Sequence, residues 1–362
     1  MSDNNSDPRV TVVIPVRNES RFIDRCLQSV FSADPVPGGM EVLVVDGMSN
    51  DSTRQILDDW HRRQPNLRVL DNPQRITPTA MNIGVRAARG KWIMIVGAHC
   101  EYPADYFRRC LETSQRTNAD NIGGGLITLS EANGVEGKLV RALTTHRFGV
   151  GNAGCRIGAS EGWADTVAYS CYRREVFERI GFYDERLVRN QDYELNRRLA
   201  KAGGSIWHNP DITARYYNQG SLKGLFHQAF GTGQWNTWMW YIAPYSFAWR
   251  HAVPLAFVVA LLSAVLFFFA SPPLGLFALT LIFVPYFVLA CLSSLQQSLR
   301  HGIWMLPVLP LLFFAYHVAY GAGALWGIFQ LCIKQSPVQR AVEPWPGAGS
   351  HRAWPRTNRV ID

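Results

Sequence analysis

The chain has 362 residues and a formal net charge of +8 at pH 7. This length accommodates a large catalytic domain and a second unit, and the positive charge favours phosphate-bearing partners such as nucleotides and lipid phosphates. The basic residues are scattered and match no nucleic-acid module, so we expect no nucleic-acid partner. The seven cysteines contain no C-x-x-C pair, which argues against a zinc site or a disulfide framework.

The first two thirds of the chain alternate between strand and helix patterns. Residues 1–8 are polar, which predicts a disordered tail and not a secretory signal. Four apolar runs then predict buried strands, and three amphipathic segments between them predict helices. The runs are 10–16, 40–45, 67–70 and 92–96, and the helical segments are 22–31, 52–63 and 78–88. This order predicts an α/β domain with a doubly wound, mostly parallel sheet over residues 9–220.

Polar residues follow three of these predicted strands. Glu19 comes after the first, Asp46 ends the second and His99 comes after the fourth. Ligands of open α/β sheets bind beyond the carboxyl ends of the strands, so these positions are site candidates.

The segment 184–203 (DERLVRNQDYELNRRLAKAG) combines carboxylates with a basic helix. A carboxylate such as Asp192 can accept the proton of an attacking hydroxyl, and the cations of Arg197 and Arg198 can hold a phosphorylated leaving group. This pattern is typical of group transfer from a nucleotide-activated donor. The alternative is that Asp192 is the N-cap of a helix over 193–202.

The last third is apolar and aromatic. Residues 221–250 predict interfacial amphipathic helices, with a buried aromatic layer as the alternative. The apolar stretches 253–270, 274–292 and 303–331 predict a transmembrane region over 251–333. A basic tail follows at 334–362. Three full crossings would place that tail opposite the first domain, against the positive-inside rule, unless the third stretch is re-entrant or a bent hairpin.

Taken in order, four segments resemble glycosyltransferase family 2: VVIPVRNES, EVLVVDGMSNDST, TPTAMNIGVRAARGKWIMIVGAHCEYP and VRNQDYELNRRLAKAG. The closest likeness is to membrane-attached enzymes of bacterial exopolysaccharide assembly, of the succinoglycan type. The resemblance implies a GT-A fold, an inverting mechanism and Asp192 as general base. It also implies that Asp46 accepts a hydrogen bond from the base or ribose of the donor. The donor-binding positions that it implies are Pro15, Val16, Glu19, Asp46, Asn82, Ala98, Asp165, Arg197 and Arg198.

The chain departs from the family at two motifs. The metal-binding D-x-D motif is replaced by Gly97-Ala98-His99. His99 is therefore the predicted ligand of a divalent metal, Mn²⁺ or Mg²⁺, and imidazole suits Mn²⁺ better. The alternative is a histidine packed at a strand end or bonded to the diphosphate. Gln234 and Trp235 lie where processive relatives carry Gln-x-x-Arg-Trp, so we expect them at the acceptor interface. The missing Arg favours one sugar per acceptor.

The sequence therefore predicts an inverting transfer from a nucleotide-diphospho-sugar, UDP-linked, to a sugar on polyprenyl diphosphate. The alternatives are transfer to polyprenyl phosphate and an inactive glycosyltransferase-like scaffold. The expected partners are the donor, the lipid-linked acceptor, membrane lipids and other polysaccharide-assembly proteins. The expected location is the bacterial inner membrane, with a multi-pass anchor and a cytosolic catalytic domain.

Overall fold

A computed structural model describes residues 8–130, 134–151, 154–218 and 220–338. They form two compact units. The first unit holds the described residues within 1–126 and 159–216, and the second holds those within 127–158 and 217–339. The insertion 127–158 interrupts the predicted catalytic domain, which the sequence pattern had given as continuous.

The elements follow one another in this chain order: β1 Val10–Val16, α1 Ile23–Phe31, β2 Met40–Asp46, α2 Thr53–Arg63, β3 Leu67–Asp71, α3 Thr77–Ala87, β4 Trp92–Ile95, β5 Cys100–Glu101, α4 Tyr106–Thr117, β6 Asn121–Ser130, α5 Val135–Thr144, α6 Arg147–Val150, α7 Gly154–Ile157, β7 Gly162–Trp163, β8 Ala168–Arg173, α8 Arg174–Ile180, α9 Gln191–Lys201, β9 Ile206–Asn218, α10 Leu222–Ile242, α11 Trp249–Ala270, α12 Pro272–His301 and α13 Leu309–Cys332. The three helices and four strands predicted at the start of the chain are all present, within one or two residues of the expected bounds.

The sheet has the strand order β3-β2-β1-β4-β8-β6-β9-β5, and β7 pairs with β9. Strands β1 to β4 are mutually parallel, and β8 is antiparallel to β4. This confirms the predicted mostly parallel α/β sheet. Helices cover both faces, so successive residues of β1 enter two different cores. Val12 and Ile14 pack in one core and Val13 in the other, which explains the unbroken β-branched run.

Pro15 lies in the central strand β1, where a missing N–H would normally break the ladder. It is tolerated because the β4 partner ends at Ile95, opposite Val13, before Pro15 is reached. On its other side Pro15 lies opposite Val45 of β2.

The second unit is helical. A buried cluster joins α5 to the start of α10 and α13 through Leu139, Leu143, Leu225, Leu309 and Phe313. Three of the described helices are long and apolar enough to cross a membrane, namely α11, α12 and α13.

Two predicted boundaries in this unit need correction. The third apolar stretch begins with a short 3₁₀ turn, Ile303–Met305, and then forms one continuous helix, α13. The bent hairpin, one of the alternatives that the sequence left open, is thus not formed by Leu309–Cys332. Pro310 does not break α13 because it lies in the first turn, where its missing N–H has no intrahelical partner to lose. The first predicted span also starts earlier than expected, since α11 begins at Trp249, within the segment 221–250; the interfacial position of that segment stays a prediction.

Candidate functional site

The loops that follow β1 and β2 are tied together by side chains. The backbone N–H of Asn18 donates to Ser49 Oγ at 2.9 Å, and the backbone N–H of Asn50 donates to Asn18 Oδ1 at 2.9 Å. The Glu19 N–H donates to Thr53 Oγ1 at 2.8 Å. Parallel strands bring their carboxyl ends to one edge, so these bonds fix a polar rim there.

Asp46 ends β2 within this rim and is 2 % exposed. Its carboxylate accepts from the Ser49 N–H at 3.1 Å and from Ser49 Oγ at 2.6 Å. Arg54 Nη1 lies 3.5 Å from the other oxygen. Asp46 thus organises its own turn. The contact between Arg54 and Asp46 is longer than a hydrogen bond, so it does not occupy that carboxylate oxygen. The donor-binding role of Asp46 stays a prediction.

His99 lies at the same edge, after β4. Its Nδ1 is 3.4 Å from Glu19 Oε1, and its ring packs against Tyr216 with centroids 5.2 Å apart. Among the described residues there is no cluster of three or more His, Cys, Asp and Glu side chains that could hold a metal. His99 and Glu19 together supply one nitrogen and one oxygen. This set fits a divalent ion that takes its remaining ligands from a diphosphate and water.

The residues ahead of His99 show why an aspartate is absent there. A Cβ atom on Gly97 would lie 2.8 Å from the Tyr169 hydroxyl. Tyr169 adopts a left-handed backbone with φ 46°, and the Cys100 Sγ lies 2.8 Å from its hydroxyl. The ring of Tyr169 therefore fills the space that a carboxylate at position 97 would need. Ala98 is buried, with only 3 % exposure, so its predicted donor contact could involve the backbone alone.

Asp192 is the second residue of α9, after Asn190 in the left-handed conformation at φ 62°. The predicted N-cap role is therefore wrong, because the helix begins one residue before Asp192. The side chain is accessible to solvent, yet protein surrounds the carboxyl group closely. This loss of hydration raises the pKa of Asp192, against the opposing effect of hydrogen bonds from the N–H groups of Tyr193 and of Asp192 itself.

Two polar atoms of α9 are without a hydrogen-bond partner among the described residues. They are Gln191 Oε1 and Arg197 Nε, and both are buried. A buried polar atom without a partner is costly and often marks a place where a ligand or water binds. The donor-binding role of Arg197 stays a prediction.

Arg198 was predicted to bind the donor, and the structure places it elsewhere. It is 5 % exposed and pairs through two hydrogen bonds with Glu194, which is 1 % exposed. Its Nη1 also donates to the carbonyl oxygens of Ile180 and Phe182 at 3.0 and 2.7 Å. Four of its five donors are thus used inside the protein. Arg198 fastens α9 to the end of α8 and is not available to a donor phosphate.

Asn82 is likewise corrected. It is 1 % exposed, and its Nδ2 donates to the Tyr183 carbonyl at 2.9 Å and to Glu185 Oε1 at 2.8 Å. Its Oδ1 accepts from the Tyr183 N–H at 2.9 Å. Asn82 therefore supports the loop that leads to Asp192 and does not reach into a donor cleft.

A buried polar network that the sequence pattern did not reveal anchors α9. Asn196 Oδ1 accepts from Asn121 Nδ2 at 2.8 Å and from the Tyr172 hydroxyl at 3.0 Å, and its Nδ2 donates to Thr166 Oγ1 at 3.0 Å. Asn196 lies one helical turn after Asp192, so these bonds fix the orientation of the helix that carries the base. Asp165, which precedes Thr166, is half-buried and lies between β7 and β8.

The two predicted acceptor residues belong to the second unit. Gln234 Nε2 donates to Gln330 Oε1 at 2.6 Å, which ties α10 to α13. The ring of Trp235 packs edge-on against Trp238 with centroids 4.7 Å apart. Gln234 thus contacts α13 and Trp235 contacts a residue of its own helix α10, and an acceptor role for them stays a prediction.

Comparison with known proteins gives three findings. Residues 11–181 match the family described as Glycosyl transferase family 2. The chain is 32% identical over 235 residues to the succinoglycan biosynthesis protein ExoA of Rhizobium meliloti, a match that covers 64% of this chain and 70% of the relative. It is 25% identical over 330 residues, 89% of this chain and 97% of the relative, to a Methanococcus voltae protein. That protein is named dolichyl N-acetyl-alpha-D-glucosaminyl phosphate 3-beta-D-2,3-diacetamido-2,3-dideoxy-beta-D-glucuronosyltransferase.

Among solved structures, the mannosyltransferase PcManGT of Pyrobaculum calidifontis, determined with GDP-Man and Mn²⁺, superposes with a TM-score of 0.56 at 19% identity. The match covers 89% of this chain and 88% of that one. At this identity the likeness concerns the fold alone, and it confirms the predicted GT-A architecture.

Proposed function

The chain belongs to glycosyl transferase family 2, and we propose that it transfers a sugar from a nucleotide-diphospho-sugar, UDP-linked, to a lipid-linked sugar with inversion. The acceptor sugar would be carried on polyprenyl diphosphate. The observation that carries this proposal is Asp192, a solvent-accessible carboxylate with a raised pKa at the start of α9. A base of this kind retains more affinity for the proton of a hydroxyl than a fully hydrated aspartate does.

The proposed step is a single displacement. Asp192 takes the proton of an acceptor hydroxyl while the hydroxyl oxygen forms a bond to the anomeric carbon of the donor. The bond from that carbon to the diphosphate oxygen breaks, and its electron pair leaves with the nucleoside diphosphate. Attack from the face opposite the leaving group turns an α-linked donor into a β-linked product.

The leaving diphosphate develops negative charge that the protein must stabilise. Arg197 is a cation of α9 whose Nε lacks a protein partner in the described part of the chain, and we propose that it supplies part of this stabilisation. His99 and Glu19 are the residues that would hold a divalent ion, Mn²⁺ in preference to Mg²⁺ because of the imidazole. Such an ion supplies charge neutralisation at the diphosphate when it is bound.

The similarity to the Methanococcus voltae protein supports a sugar hydroxyl as the acceptor. The name of that relative describes transfer to a sugar on dolichyl phosphate, and the match extends over nearly its whole length. Transfer to free polyprenyl phosphate would need no strong base, so replacing Asp192 would separate the two acceptors. The apolar helices of the second unit indicate membrane association. We place the chain in the bacterial inner membrane, with the first unit cytosolic.

The test uses the full chain in detergent, a panel of nucleotide sugars, and either a polyprenyl-diphosphate-sugar or polyprenyl phosphate as acceptor. Asp192→Asn should lower transfer at least a hundredfold, within the range expected for loss of a general base. Asp59→Asn is the matched control, because Asp59 lies on the surface of α2 with its side chain 57% exposed. Full activity of Asp192→Asn with the sugar acceptor would contradict the proposed base.

The metal is tested separately. EDTA should abolish transfer and Mn²⁺ should restore it, and His99→Ala should raise the Mn²⁺ concentration needed for half-maximal rate by about tenfold or more. Transfer that survives EDTA would remove the ion from the mechanism and leave charge stabilisation to Arg197.

A further inference from the structure

The second unit contains two helix pairs with different geometry. Helices α11 and α12 run alongside each other. The Phe257 and Tyr286 rings stack at 4.6 Å, and about 16 Å further along α11 a Cβ on Gly275 would lie 2.1 Å from Phe268 Cα. Since α11 and α12 touch at both of these positions, they form an antiparallel hairpin, and Ser271 is the residue that connects them.

Helix α13 crosses this hairpin and does not run along it. The Phe314 ring lies 6.0 Å from the Phe257 ring, and a Cβ on Gly321 would lie 2.2 Å from the Pro254 carbonyl oxygen. Phe314 and Gly321 are about 10 Å apart along α13, yet both touch the same turn of α11. If α13 ran side by side with α11, the residues of α11 that contact Phe314 and Gly321 would also lie about 10 Å apart along α11.

The contacts of α13 with α12 also lie at one level. The Phe314 ring lies 5.9 Å from Phe283 and 5.8 Å from both Tyr286 and Phe287. Tyr286 is also hydrogen-bonded to His317 at 2.8 Å. The crossing therefore lies at a single turn of each hairpin helix.

Helix α10 accompanies α13. A Cβ on Gly323 would lie 1.9 Å from the Phe230 carbonyl oxygen, and Trp238 Nε1 donates to the Gly327 carbonyl at 3.2 Å. Polar side chains pair between the two helices, Gln234 with Gln330 and Asn236 with the Tyr320 hydroxyl. Glycines permit this close approach, and uncharged polar pairs with exposed aromatics such as Trp326 suit the membrane–water interface.

The level of the crossing can be placed along the hairpin. From Pro254 to Ala270, α11 spans about 25 Å, close to the thickness of a hydrocarbon core of about 30 Å. Beyond the crossing, α12 continues to His301, and its polar end packs on the insertion. Gln297 Nε2 donates to the Ala142 carbonyl at 2.7 Å, and Gln296 bonds His146 at 2.9 Å. The crossing is thus at the edge of the apolar layer, on the side of Arg300.

We propose that only α11 and α12 cross the membrane, and that α10 and α13 lie together along the headgroup layer on the side of Arg300. The partner of this paired surface is the lipid interface. The described residues that follow α13, 333–338, are then on the side of Arg300. This arrangement agrees with the positive-inside rule over the described residues, because Lys334 and Arg300 are on one side.

Thiol labelling of the full chain in spheroplasts tests this topology. The exposed natural thiols are first removed by Cys291→Ala and Cys332→Ala. Ser271→Cys and Lys334→Cys are then introduced singly and treated with a membrane-impermeant maleimide before and after lysis. We expect Ser271→Cys to label in intact spheroplasts and Lys334→Cys to label at least tenfold faster after lysis.

Each other result overturns the proposal. Labelling of both sites in intact spheroplasts means that α13 also crosses, which gives three spans. Protection of Ser271→Cys means that α10 crosses or that the hairpin does not. Thiol labelling needs no transferase activity. A failure of the proposed topology is therefore distinguishable from a failure of the proposed function.

Discussion

Replacing Arg198 separates a structural role from donor binding. In Arg198→Met the Glu194 carboxylate stays buried without its cation, and the carbonyls of Ile180 and Phe182 lose their donor. Removing one partner of a buried ion pair costs about 3–5 kcal/mol. For a protein of this size each kcal/mol lowers Tm by roughly 2–4 °C, so we expect a loss of about 6–20 °C.

The assay is thermal unfolding of the detergent-purified chain, followed by near-UV circular dichroism. Arg197→Met is the matched control. Since Arg197 Nε has no partner among the described residues, this change should leave Tm within a few degrees and raise the donor KM. The double change Glu194→Leu with Arg198→Met should recover much of the lost stability, because it leaves no buried charge. An unchanged Tm for Arg198→Met with a raised donor KM would refute the structural role.

Three further outcomes are expected. Asn82→Ala removes three hydrogen bonds to the Tyr183–Glu185 loop. It should lower the free energy of unfolding in urea by about 2–4 kcal/mol and leave the donor KM little changed. A large rise in the donor KM with unchanged stability would restore Asn82 to the donor site. The protein close around its carboxyl group raises the pKa of Asp192, so the transfer rate should fall through an acidic limb above the ordinary aspartate pKa. Asp192→Asn should increase stability at neutral pH, since a raised pKa costs stability once the carboxyl is ionised; equal stability of the two proteins at pH 7 and pH 4 would contradict this. Gly97→Asp should lower Tm without improving metal affinity because its Cβ meets Tyr169, and adding Tyr169→Ala should relieve the loss; a stable Gly97→Asp protein with tighter Mn²⁺ binding would show that the ring moves aside.

The helical face occupied by each arginine of α9 illustrates the limit of reasoning from sequence. Arg197 and Arg198 look equivalent in the printed sequence, as two cations after a candidate base. Glu194 and Arg198 are four residues apart and therefore lie on one face of a helix. Whether that face points inward depends on the end of α8, whose carbonyls receive Arg198. The burial of the Glu194–Arg198 pair depends on how α9 packs against the end of α8, and residue spacing alone does not predict that packing.

The sequence by itself determined the α/β class, the order of the first strands and helices, and the strand-end positions of Asp46 and His99, because these depend on local periodicity and on the parallel connection of neighbours. Only the tertiary structure decided the roles of Asn82, Gly97 and Arg198. Their partners lie far away in the chain or on another element: Asn82 bonds Tyr183, and Gly97 makes room for Tyr169. The path of α13 was decided in the same way. Apolar length predicts that a helix can span a bilayer, but only its contacts show whether it runs along its neighbours or across them.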